Sequence, residues 1–137
     1  MRRTILATLA MVAIAFTTTG CTTADMEANM AKARDIANAI KRGAAMTAAT
    51  VRVGLDAACA NQPAVGLAYQ STRAILIQQV GPKTTQNIDR LDRAMRSYTN
   101  VCAAAANPSA TDLTALLSAA IAAYAEVQAA QRVAGTV

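Results

Sequence analysis

The three prolines of this chain, Pro63, Pro82 and Pro108, constrain its fold more than any other feature. Each stands beside residues that themselves favour a turn: Asn61-Gln62 before Pro63, Gly81 before Pro82, and Asn107 before Pro108. Proline lacks the backbone N–H, so a helix accepts it only in its first turn and otherwise ends there. The breaks cut the region beyond residue 24 into four stretches of helical length. Alanine dominates those stretches and aromatic residues make up only 3% of the chain. That bias selects helix, because alanine has the best helix propensity while strands favour β-branched and aromatic residues.

Apolar spacing agrees with the breaks. In the first stretch Met26, Met30, Ala33, Ala37, Ile40, Ala44, Ala48, Val51, Leu55 and Cys59 recur every three or four positions, as one face of a helix requires. Gly43 marks a place where so long a helix can kink or break. In the second, Val65, Ala68, Tyr69, Thr72, Ile75, Leu76 and Val80 form the apolar face, with Pro63 at the first helical position and Gly81-Pro82 ending it. The third, through Ile88, Leu91, Met95, Tyr98, Cys102 and Ala105, alternates steps of three and four, the seam of a bundle helix. Asp89 with Arg93 and Asp92 with Arg96 stand four apart and mark its solvated side.

Ser109 and Asp112 read as a capping box opening a fourth helix, whose apolar face is Leu113, Leu116, Leu117, Ala120, Ile121, Tyr124 and Val127. Residues 113–125 carry no charge, and thirteen residues are too few to cross a bilayer. This helix is expected to be deeply buried or covered by a partner, with helix 113–127 as the candidate surface for a protein partner or for self-association. Short turns alternate helix direction. The expectation is an all-α, up-down helical bundle of about four helices, forming a single domain over residues 25–137.

Ahead of that domain lies a targeting segment. Arg2 and Arg3 are followed by residues 5–16 without a charge, then by Thr17-Thr18-Thr19-Gly20 and Cys21. A basic start, a short apolar run and small residues at a cleavage point make a secretory signal. The segment resembles the leader of bacterial lipoprotein precursors, whose lipobox here reads Thr18-Thr19-Gly20-Cys21, with Thr18 where Leu, Val or Ile is usual. The resemblance covers only the leader. It implies cleavage of residues 1–20, a diacylglyceryl thioether on Cys21, and a lipidated tether over residues 21–24. Thr22 follows the cysteine where an inner-membrane retention signal would place Asp, so the outer membrane, facing the periplasm, is the favoured location in a Gram-negative host.

With Cys21 assigned to lipid, Cys59 and Cys102 remain as a pair in an oxidising compartment, where a disulfide is the expected state. A free thiol or a metal site are the alternatives, and a chain without histidine offers a zinc ion little. In an alternating bundle with one unbroken first helix, both cysteines fall at the membrane-distal end.

Functional chemistry is sparse. The net charge of +5 drops to +3 once Arg2 and Arg3 are removed, with cations and acids interspersed, which is no nucleic-acid footprint. Lack of histidine removes His-based triads. Asp89 and Asp92 read as ion-pairing residues, Glu126 as a single solvated acid, and the Met26/Met30 pair as core packing before a thioether metal site. Tyr69, Tyr98 and Tyr124 suit bundle packing better than a ligand pocket. No cofactor is expected. The sequence points to a non-enzymatic envelope lipoprotein with a structural or protein-interaction role; the alternative is a carrier of a small hydrophobic ligand.

Overall fold

The computed structural model describes residues 23–107, 109 and 112–135; the leader and Cys21 lie outside them. The described residues form an all-α bundle of five helices: α1 (Thr23–Lys41), α2 (Ala48–Cys59), α3 (Gln62–Gln78), α4 (Thr84–Ala105) and α5 (Leu113–Ala134).

The first predicted helix is two. Gly43 adopts φ +83°, a left-handed conformation that costs glycine nothing. Its N–H bonds the Ile40 carbonyl at 2.9 Å and that of Ala44 bonds Ala39 at 3.0 Å. Together they make a Schellman motif, which satisfies the orphan carbonyls and turns the chain out of α1. Thr47 then caps α2, its hydroxyl accepting from the Thr50 N–H at 3.2 Å. The helices run antiparallel and close together: a Cβ on the buried Gly54 would stand 3.0 Å from Ile36 Cδ1.

This reversal moves the cysteines. Cys59 and Cys102 are paired at disulfide distance, with sulfurs 2.13 Å apart and Cα atoms 5.4 Å apart. Two residues further on, the fully buried Asn61 donates its side-chain amide to the Met26 carbonyl at 3.1 Å and accepts from Asn29 at 3.2 Å. The end of α2 therefore sits against the start of α1. The pair lies where the chain enters the bundle, which corrects the membrane-distal placement expected from one unbroken helix.

The later breaks fall where proline put them, with local differences. Asn61 precedes α3, but its side chain makes no cap and serves the α1 clamp instead. Asp112 caps α5 by accepting from the Ala115 N–H at 3.0 Å, whereas the Ser109 N–H donates to the Asn107 side chain. Ser109 is thus part of the preceding turn and no capping box forms. At the end of α4, Arg52 reaches across from α2 to the Ala105 carbonyl at 2.6 Å, pairing an orphan acceptor.

Met30, Leu55, Leu76, Leu91, Tyr98 and Leu117 are fully buried at the centre. Each such aliphatic side chain contributes about 1.5–3 kcal/mol. Buried alanines between them, Ala33, Ala58 and Ala120 among others, let the helices approach closely. α5 packs against each of the other four helices. That position accounts for the apolar inward side of α5 but not for the uncharged residues it leaves exposed, and α5 is long and apolar enough to cross a membrane by length and composition alone.

Candidate interaction surface

Among the described residues, one side of α5 is left open. Leu117, Ala120, Ala123, Tyr124 and Val127 face the core, while Ala115, Ser118, Ala122 and Ala125 are exposed. The face is smooth because its side chains end at Cβ or one atom beyond. α1 and α4 flank it on either side. Between α4 and α5 runs an open groove of about 500 Å³, with Arg90, Arg93 and Ser97 on the wall and Ala119, Ala122 and Ala123 on the floor. Between α1 and α5 lies another, of about 180 Å³, lined by Arg34, Asn38 and Lys41 opposite Ser118, Ile121 and Ala125. Ala122 belongs to both, so the two grooves are halves of one channel with α5 as its floor.

The walls are cationic. Arg34 is held in place: its guanidinium donates to Gln128 Oε1 at 3.2 Å and stands 5.7 Å from the Tyr124 ring centroid. Burial raises the Tyr124 phenol above its ordinary range, so it is neutral beneath that cation. Gln128 also donates to the Tyr124 hydroxyl at 3.2 Å. On the opposite wall Arg90 pairs with Glu126 at 2.7 Å, with both side chains about half exposed. A pair so placed contributes about 0–1 kcal/mol. Glu126, expected as a solitary acid, is therefore a groove residue with a partner.

Other sequence candidates take different places. Tyr69 on α3 donates to Asp92 at 3.0 Å, and Tyr98 donates to the Ala58 carbonyl from full burial, so the three tyrosines line no common pocket. Asp92 pairs with Arg73 of α3 at 3.0 Å rather than with Arg96, and Asp89 makes no ion pair with Arg93. Tertiary geometry wins there because α3 brings two donors, the Tyr69 hydroxyl and the Arg73 guanidinium, to 3.0 Å from the same Asp92 oxygen. Met30 is fully buried and Met26 packs partly buried against the core. Among the described residues no group of three His, Cys, Asp or Glu side chains could hold a metal. Sequence reasoning missed the Asn61 clamp, whose only signal was an asparagine read as a cap, and the basic walls, which come from helices distant in sequence.

Comparison of the chain with family models, with curated proteins and with solved structures yields no match.

Proposed function

We propose that this protein is a bacterial envelope lipoprotein, anchored through acyl chains on Cys21, that acts by binding another protein rather than by catalysis. The observation that carries the reading is the open face of α5. A helix that packs against all four others keeps Ala115, Ser118, Ala122 and Ala125 exposed between the walls of α1 and α4. Small residues allow a docking helix to approach its backbone closely, and Arg34, Lys41 and Arg93 along the rim favour a partner with acidic flanks over a second copy of this chain. Loose attraction to other anionic envelope polymers follows from the same excess of cations; nucleic acid is not a partner in that compartment. The outer membrane, facing the periplasm, is the location this reading assigns in a Gram-negative host.

The experiment has two arms. Labelled palmitate should enter the wild-type protein and not Cys21→Ser; label absent from the wild type would end the anchoring part. Crosslinking in intact cells should give a higher-mass adduct that the double variant Ala115→Lys, Ala122→Glu loses while keeping its helical content. A wild type that is monomeric and forms no adduct would end the partner part.

A further inference from the structure

Among the described residues the outward side of α3 is a second unpartnered face, unlike that of α5 in chemistry. Leu67 is 69% exposed, Ile77 57%, and Val80, just beyond the helix, fully so. Leu67 and Ala74 are two turns apart, and Gln70, Ser71 and Ala74 between the aliphatic residues are exposed as well. The span from Leu67 to Ile77 is about 15 Å at the helical rise. A shallow open hollow along Tyr69, Gln70, Arg73, Ala74 and Ile77 continues the face.

Charge selects the occupant. Between Asp56 and Asp89 the chain has no acidic residue, and its cations are Arg73 and Lys83. Arg73 stands at the Ile77 edge, held by Asp92 at 3.0 Å with its side chain still 39% exposed. Lys83 is exposed beside Val80. Aliphatic side chains edged by the exposed Lys83 and by Arg73, whose charge Asp92 shares, with no acid on the face itself, fit an anionic lipid surface.

The path of the chain agrees. Cys21 precedes Met26 by five residues, at most about 18 Å of extended backbone. The Met26 carbonyl is bonded to Asn61, and α3 begins at the next residue, Gln62. An acyl anchor on Cys21 would thus hold the start of α3 close to the bilayer.

We propose that the outward face of α3 lies on an anionic phospholipid surface, with Leu67, Ile77 and Val80 at the boundary of headgroups and acyl chains and Arg73 and Lys83 toward the phosphates. The inference rests on the acyl anchor of the preceding section. Anchoring makes the contact effectively intramolecular, so three aliphatic side chains that would not retain a free domain suffice to orient a tethered one. Laid down in this way, the domain turns a defined side toward the envelope space.

The chain has no tryptophan, so a single introduced one reports its own position. Full-length Leu67→Trp, Ile77→Trp and Ala122→Trp, purified from membranes, are placed in phosphatidylglycerol-rich vesicles with brominated acyl chains. Fluorescence at positions 67 and 77 should fall at least twofold relative to unbrominated vesicles, and the fall should shrink at 1 M salt; position 122 should be unchanged. Equal signals at all three positions, or no loss at 67 and 77, would overturn the proposal. So would a doubled mass in detergent with the position 67 tryptophan already buried, since a second copy would then cover the face. Intact mass separates the two readings. If Cys21 carries no acyl chain the anchoring reading fails; coupling the Cys21 thiol to a maleimide lipid in the same brominated vesicles then supplies the tether, and the quenching still decides the α3 contact.

Discussion

Asn61 closes the α1–α2 hairpin by donating its side-chain amide to the Met26 carbonyl, 3.1 Å away across 35 positions of sequence. The residue is fully buried, and Asn29 donates to its remaining oxygen. A buried amide satisfied on both ends is a specific lock, because any other register would leave it unpaired at a cost of about 1–3 kcal/mol.

Asn61→Leu should therefore lower stability by about 1–3 kcal/mol, despite its greater apolar surface. Asn29→Ala should cost less, since Asn61 keeps its bond to Met26. Urea denaturation followed by circular dichroism at 222 nm measures both, and equal midpoints for Asn61→Leu and wild type would show that the clamp is idle.

The cysteine pair closes a loop with a sequence separation of 43. Chain-entropy arithmetic assigns about 4 kcal/mol to a cross-link of that span. Thiol trapping of unreduced protein should find neither Cys59 nor Cys102 free. The double variant Cys59→Ser, Cys102→Ser should fold with a lower urea midpoint, by up to that amount.

Thr72 is buried in α3, and its hydroxyl has no hydrogen-bond partner among the described residues. Valine has the same shape without the oxygen. Thr72→Val should stabilise the protein by about 1 kcal/mol, the lower end of the desolvation cost of an unpaired polar group. A rise in melting temperature is the expected readout, and a fall would mean that the hydroxyl has a role in the native state.

Tyr98 couples stability to pH on the alkaline side. Burial, with a smaller contribution from Tyr124, raises its phenol above the ordinary value of 10.0. The folded state holds that proton where the unfolded chain has lost it. Stability is thus full below about pH 10 and declines as pH rises beyond it. Burial acts on Tyr124 in the same direction. Urea midpoints from pH 8 to 11 should fall steeply above 10 in the wild type and less steeply in Tyr98→Phe.

Much of this architecture is local in origin and was readable in the chain. Apolar residues every three or four positions require helices, and Pro63, Pro82 and Pro108 place three of the boundaries because a missing N–H acts wherever it stands. The cysteine pairing followed from counting. Gly43 was legible only as a weak point: glycine permits the left-handed turn, but whether the chain takes it depends on what α2 meets once it has folded back. Here it meets Ile36 across Gly54, and Asn61 meets Met26.

What tertiary structure alone decided is which residues of different helices face one another. Asp92 has Arg96 four residues away, yet it bonds Arg73 and Tyr69 from α3, because helix packing brings those groups within 3.0 Å in an ordered geometry. The open channel over α5 is decided in the same way. Spacing set Leu113, Leu117, Ala120 and Tyr124 on the apolar face of this helix, but periodicity within one helix carries no information on how many neighbours surround it. Four helices wrap α5 and leave that side uncovered, and the cations of α1 and α4 come to rim it only through the packing of the whole bundle.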